Sequence, residues 1–498
     1  MMTPRTRPVL GILVVTAAAA CGPTVTVATP VPVPSTSLMT VVDLTKPPTL
    51  APPPQLTLPP ITKLELANGL RLLVVEHHEL PVADFVLVVR SGHEMDPATV
   101  SGLASLTAAL LDEGTTTRTA LQIADQQAFL GVRLSTNAGW DASTVSLHTP
   151  TAQIDSALAL FADVVLNPTF AQAEVDRLRA ERLTLLTQLK DRPTAIADQA
   201  YAAIVFGADH AYGRPTLGTE ASVKQVTPDE IRSYYQQHYR PNNAMLIVVG
   251  DVRPDDIKRH LTTLFDRWPR RNAPAPVITR APVWDNTSAR RTTIYLIDKP
   301  GAPQSSVRIG AIGVARSTPD YFPLLVMNTI LGVPFTSRLN QNLRETRGYT
   351  YGARSRFDMR REAGPFTAWA EVIAGKTDSA LIEFMNELRA IRDTVPQVEL
   401  EKAKRYLQLQ LPALFETTGD IAFQLTPLAV HDLSLDFYNN YVQRIEAVMQ
   451  ADVQRVARKY INPDRLSIVV VGDRKQIEPG LRKLEFGNVE IRDIYGRR

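Results

Sequence analysis

Apolar and polar positions alternate along Lys63-Leu64-Glu65-Leu66, and apolar residues dominate Leu70-Arg71-Leu72-Leu73-Val74-Val75. Between these runs stands Asn68-Gly69, the dipeptide that most strongly marks a two-residue hairpin. Phe85 to Val89 predicts a third strand. The period then changes. Leu103, Leu106, Leu110 and Leu111 fall on one side of a helix over 102–111, and helical spacing recurs over roughly 119–130, 152–165, 171–190 and 228–238. Met245 to Val249 predicts a buried strand that ends at Gly250-Asp251.

That ending occurs twice. Tyr239-Arg240-Pro241-Asn242 precedes Leu246-Ile247-Val248-Val249-Gly250-Asp251, and Tyr460-Ile461-Asn462-Pro463 precedes Ile468-Val469-Val470-Val471-Gly472-Asp473. The same order at nearly the same offset implies an internal duplication. A Pro-rich stretch at 273–287 reads as the connector. The expectation is an α+β protein of two homologous domains, 58–272 and 288–498, each a mainly antiparallel sheet covered by helices on one face.

The N-terminus has a different pattern. Arg5 and Arg7 precede a short apolar run, Val9 to Ala20, too short to span a bilayer. Residues 1–20 read as an export signal. Ala18-Ala19-Ala20-Cys21-Gly22 is similar to a bacterial lipoprotein cleavage box, with Ala18 where Leu is usual. Cys21 would then be the acylated first residue; the other reading is a plain secretory signal. Residues 22–60 hold eleven prolines. Proline lacks an N–H and fixes φ, so 21–57 reads as an extended tether. A tether behind an acylated cysteine favours an exported, periplasmic protein, lipid-anchored to the outer membrane of a bacterium.

Composition removes several function classes. Lys+Arg is 54 and Asp+Glu 51, a balance that gives no reason to propose nucleic acid as partner. One cysteine excludes an intrachain disulfide and a Cys-rich zinc site. None of the eight histidines falls at HExxH or HxxEH spacing. His77-His78-Glu79 is the nearest cluster, but neighbours on a strand point to opposite faces. P-loop and G-x-S-x-G motifs are absent.

Gly102-Leu103-Ala104-Ser105-Leu106-Thr107-Ala108-Ala109-Leu110-Leu111-Asp112-Glu113-Gly114-Thr115 resembles the signature helix of the pitrilysin/insulinase metallopeptidases, which include the mitochondrial processing peptidases. Leu166-Asn167-Pro168-Thr169-Phe170, Gly213-Arg214-Pro215 and His238-Tyr239-Arg240-Pro241-Asn242 extend the resemblance over about residues 60–498. In active members the helix carries H-x-x-E-H, two histidines for one zinc and a glutamate as base toward its water. The resemblance puts Ser105 and Ala109 at the histidines and Ala108 at the glutamate. Gln188, seven residues after Glu181, stands at the third ligand. It implies no catalytic residue and no metal on this chain.

A second stretch resembles the family's second-domain signature: Phe335-Thr336-Ser337-Arg338-Leu339-Asn340-Gln341-Asn342-Leu343-Arg344-Glu345, then Thr346-Arg347-Gly348-Tyr349-Thr350-Tyr351-Gly352. In two-chain bacterial members one subunit carries the zinc motif and the other an Arg/Tyr pair seven residues apart, which Arg344 and Tyr351 match. A guanidinium and a phenol can donate to a peptide carbonyl and stabilise a developing oxyanion. The plainer reading pairs Arg344 with Glu345 and buries Tyr351 in the core. The resemblance thus implies a non-catalytic, peptide-binding subunit. Its partners would be a homologous zinc-bearing chain, a peptide substrate and the membrane through its anchor. The alternatives are a peptidase-like scaffold with no proteolytic role, or a peptidase with relocated chemistry.

Overall fold

The computed structural model describes residues 58–271 and 291–498. The export signal, Cys21, the tether and the connector at 273–287 lie outside the described residues. The first half contains β1 (Ile61–Glu65), β2 (Arg71–Glu76), β3 (Val82–Val89), β4 (Arg133–Ala138), β5 (Ser143–Pro150) and β6 (Ala244–Gly250). They form one sheet in the order β1-β2-β6-β3-β5-β4, antiparallel except for β2 beside β6. Asn68-Gly69 lies in a hairpin whose loop is Ala67-Asn68-Gly69 rather than two residues, closed by Leu66 N–H on Leu70 O at 2.9 Å: Gly69 has φ 89°, and Asn68 Oδ1 accepts from Leu70 N–H. The helices are α1 (Leu103–Ala109), α2 (Ala120–Leu130), α3 (Ile154–Leu166), α4 (Gln172–Leu189), α5 (Pro193–Phe206), α6 (Glu220–Gln225), α7 (Pro228–His238) and α8 (Pro254–Phe265).

The second half repeats the plan with β7 (Thr293–Asp298), β8 (Gln304–Ile312), β9 (Thr350–Phe357), β10 (Pro365–Ile373), β11 (Ser467–Gly472) and β12 (Asn488–Arg492). The order is β12-β7-β11-β8-β10-β9. The sixth position is filled differently: β1 pairs antiparallel from the N-terminal side, and β12 pairs parallel from the C-terminal side. Its helices are α9 (Tyr321–Gly332), α10 (Arg338–Asn340), α11 (Thr377–Asp393), α12 (Gln397–Gln410), α13 (Thr418–His431), α14 (Tyr441–Glu446), α15 (Gln450–Tyr460) and α16 (Arg474–Leu481).

Strand side chains alternate between faces, so each sheet has two to cover. In the first sheet Leu72, Val74, Phe85, Leu87, Leu246 and Val248 pack under the half's own helices. Leu73, Val75, Met245, Ile247 and Val249 face the other way, where α13 of the second half lies across β3 and β6. In the second sheet Leu296, Val307, Ile309 and Val470 meet their own helices, while Tyr295, Ile297, Val469 and Val471 lie under α5 of the first half. Tyr201 on α5 also donates to Phe366 O at 2.5 Å. Each half therefore keeps its helices on one face and lends one 14-residue helix to the other half's second face.

The turn between β9 and β10 fastens the halves. Arg361 Nη1 lies 2.9 Å from Glu94 Oε1, its Nη2 donates to Asp141 O at 2.9 Å, and its N–H donates to Asp141 Oδ2 at 2.7 Å. Arg360 stacks 3.8 Å from the Trp140 ring. Tyr212 donates to Asp141 Oδ1 at 2.7 Å. The Glu94 side chain is 0% exposed.

Burial pushes Glu94 up to about 8, against the pull of Arg361. The folded state therefore holds this proton where the unfolded chain has released it. Its contribution to stability is full below about 4.5 and is lost as pH rises through about 8. Burial pushes His238 and His431 down to about 4, so their contribution is instead lost as pH falls from 6.5 through 4. Asp112, raised to about 6 by burial, has completed its change below that window. Exposed His78, raised by Asp251 and Glu76, loses its contribution as pH rises. Stability is expected to fall between pH 6.5 and 8, by up to about 1.4 kcal/mol per pH unit for one proton. Denaturant titrations across that range test this, and Glu94→Gln should flatten most of the slope; an equally steep slope in the variant assigns it elsewhere.

Candidate substrate-binding site

Helix α1 is short, and its start is built by residues outside it. Gly102 has φ 90°, and a Cβ there would lie 2.7 Å from Gly218 N, so both the turn and the approach of the 217–218 backbone require glycine. The Asp96 carboxylate accepts from Gly102 N–H at 2.8 Å and Ala104 N–H at 2.7 Å, satisfying donors that have no partner in the first turn. Leu103, Leu106 and Leu110 point into the core, with Ala108 buried beside them. Ser105 and Ala109 are half-buried.

Ser105 Oγ lies 3.0 Å from Gly102 O and 2.9 Å from Thr216 O, and accepts from Arg182 Nη1 at 2.7 Å. Arg182 comes from α4. Burial lowers its pKa while nearby Asp96 opposes that shift. Gln188, in the last turn of the same helix, is exposed. These groups do not fit zinc. Zinc takes imidazole, thiolate or carboxylate donors. Here stand a hydroxyl already bonded to carbonyls, two methyl groups and a neutral amide, with a guanidinium on the hydroxyl. Among the described residues no group of three or more His, Cys, Asp or Glu is placed to hold a metal ion.

Three of the histidines have partners of their own. His78 Nδ1 lies 2.7 Å from Asp251 Oδ1 and its Nε2 3.2 Å from Glu76, an exposed arrangement at a strand end. His238 is buried against Ser91 Oγ at 3.1 Å. His93 Nε2 lies 3.0 Å from Ala138 O.

Beside α1 runs β4, the edge strand of the first sheet. Gln127 Oε1 accepts from Leu134 N–H at 2.9 Å, so the even-numbered residues of β4 turn their backbone groups away from β5. Ala138 O, two steps beyond Thr136, meets His93. Thr136 lies between these capped positions. Its N–H and C=O are in place to pair with an added strand.

In the second half, Gln341–Thr346 is a π-helical turn, which the apolar spacing did not signal. It packs against β9. The Arg344 guanidinium sits 4.4 Å from the Phe335 ring centroid, with Nε 3.3 Å from Glu345 Oε1. Tyr351, at the start of edge strand β9, is 86% exposed and fills no core. Arg344 thus has the expected contact with Glu345, whereas Tyr351 stands outside the core. Among the described residues no hydrogen bond or ring contact joins Arg344 to Tyr351, or either to Ser105. Sequence reasoning missed Asp96 and Arg182, whose roles come from segments distant in sequence.

A profile described as "Insulinase (Peptidase family M16)" matches residues 71–220, and one described as "Peptidase M16 inactive domain" matches 225–407. An uncharacterized zinc protease of Mycobacterium leprae is 26% identical over 420 residues, covering 83% of this chain and 92% of the relative. Another, of Streptomyces coelicolor, is 25% identical over 421 residues, covering 83% and 90%. The crystal structure of a peptidase M16 inactive domain from Pseudomonas fluorescens superposes with a TM-score of 0.77 at 26% identity, covering 83% of this chain and 98% of that one. A protease from Helicobacter pylori shares the fold, with a TM-score of 0.77 at 20% identity over 84% of this chain and all of that one. Two profiles of one family that together span most of residues 71–407, on a duplicated α+β fold, agree with the motifs read from the sequence: the chain belongs to the pitrilysin/insulinase peptidase family.

Proposed function

We propose that this chain is the non-catalytic, peptide-binding subunit of a two-chain zinc peptidase, exported and lipid-anchored through Cys21. The observation that carries this reading is the surface of α1. Ser105, Ala108 and Ala109, with Arg182 on the serine and Gln188 on α4, supply neither ligands nor a base. Beside that helix, the β4 edge keeps Thr136 ready to pair with an extended peptide. The chain thus has the means to hold a peptide backbone and lacks the means to cut it.

The zinc and its water would come from a homologous partner chain. Arg344 and Tyr351 would bind the peptide and donate to the carbonyl under attack. The exposure of Tyr351 supports this placement, since a phenol held for a partner's substrate has to stand outside its own core. The names of the relatives as zinc proteases favour a peptidase setting over a purely structural one.

The test is purification from the native envelope. The chain alone should bring down no stoichiometric zinc and degrade no peptide, before or after zinc is added. With a chain bearing H-x-x-E-H, chelator-sensitive proteolysis should appear. Failure to recover such a chain, with no gain on mixing, would favour the scaffold reading. Stoichiometric zinc with activity in the isolated protein would favour relocated chemistry.

A further inference from the structure

Helix α5 lies over β11 and β8 and stops short of the sheet edge. In the register of the sheet, Arg308 stands opposite Trp369, and Trp369 opposite Arg354; Thr367 stands opposite Arg356. Directly opposed residues share a face. Arg308 Nε bonds Asp198 on α5 at 2.6 Å, which fixes that face as the α5 side. Beyond α5, then, β10 and β9 present Trp369, Arg354 and Arg356. A cleft of about 420 Å³ opens there, lined among others by Trp140, Tyr201, Arg308, Arg356, Arg360 and Trp369.

Within the cleft the charges are close to balanced, and a surplus lies at its rim. Arg308 is matched by Asp198 and by Glu371 at 3.1 Å. Asp358 is shared: Arg360 donates to it from Nε at 3.0 Å and Nη2 at 2.6 Å, and Arg356 lies 3.9 Å away. Arg360 Nη1 is buried with no partner. Arg354, opposite Trp369 on the exposed edge strand and outside the cleft lining, has no carboxylate within salt-bridge distance among the described residues. The surplus is positive and is flanked by two indole rings, one under Arg360 and one 5.9 Å from Arg356.

We propose that this cleft is a docking site for an acidic, aromatic-containing segment of an extended peptide. A carboxylate meets the unmatched guanidinium of Arg354 and that of Arg356, which only shares Asp358 with Arg360, and an aromatic side chain packs on Trp369. Guanidinium pairs bidentately with carboxylate, and an indole offers a face to a ring. This rests on the peptide-binding reading above and adds the class of peptide: acidic rather than basic.

The test is calorimetric titration of the full chain with a decapeptide of alternating Glu and Tyr, and with its Lys/Tyr counterpart. The acidic peptide should bind, and more weakly as salt rises. Arg354→Ala with Arg356→Ala should weaken it at least about tenfold, which is about 1.4 kcal/mol. Trp369→Ala should weaken it similarly. The paired Arg→Lys variants should recover part of the loss. Equal affinity for the Lys/Tyr peptide, unchanged affinity in the double variant, or no binding at millimolar peptide would each overturn the proposal. So would self-association lost in the double variant, which would make a second copy the occupant. Recovery of a zinc-bearing chain is scored separately, so either reading can fail while the other stands.

Discussion

Replacing Arg361 with alanine is expected to destabilise the protein more at pH 9.5 than at pH 5.5, because above about 8 the wild type can release the Glu94 proton against the guanidinium and the variant cannot, a difference of up to about 1.4 kcal/mol per pH unit. Glu94 is fully enclosed, and its remaining partner is the N–H of Gly92 at 3.0 Å. With the guanidinium gone, the folded protein escapes the stranded charge only by taking a proton. That is easy in acid and unfavourable in base. The loss should therefore shrink toward pH 5.5, where the wild-type carboxyl is already largely protonated, given its rise to about 8. Urea titrations of both proteins at the two pH values measure the difference. A loss that does not vary with pH would mean that Arg361 acts through Asp141 or through packing. Glu94→Gln combined with Arg361→Ala should recover much of the stability, because the amide leaves no charge to strand.

The second large effect concerns turnover. In a reconstituted two-chain peptidase, Arg344→Ala is expected to lower kcat by about 10²–10³, the range for losing one donor to a developing oxyanion. KM should change much less, because the interaction strengthens as charge develops on the carbonyl. Lysine at this position should restore part of the rate, and Tyr351→Phe should lower kcat in the same direction. The ring of Phe335 beneath the guanidinium and the flanking Glu345 hold Arg344 in place. Both side chains lie at the surface, so melting temperatures should stay near wild type. An unchanged rate for Arg344→Ala would remove this residue from the substrate site.

Much of this architecture is legible in the sequence because its strongest signals are local. Asn68-Gly69 fixes a hairpin, and the repeated Gly-Asp endings identify β6 and β11. Helical spacing finds α1 and four more of the first half's eight helices. Helix α5 is harder to find. It is covered on more than one side, so Ala197, Ala200, Tyr201 and Phe206 do not form a single stripe. In the structure it begins with Pro193 in its first turn, where a missing N–H costs nothing. Ser105, Ala108, Ala109 and Gln188 can be read as poor zinc ligands from their residue types alone. What stands in that space could not be read, because Arg182 reaches Ser105 across 77 residues. The lock at Glu94 was equally hidden, since its partner lies 267 residues away.

The exchange of α5 and α13 makes each half an unfinished object. Severed from the rest, either would present a bare apolar sheet face to water, with a helix attached that has nothing of its own to cover. Two identical halves could satisfy one another only by trading helices, as in a swapped dimer. Joined in one polypeptide, that trade takes place at a fixed one-to-one ratio and at any dilution. The price is that neither half can drift in sequence without the consent of the other.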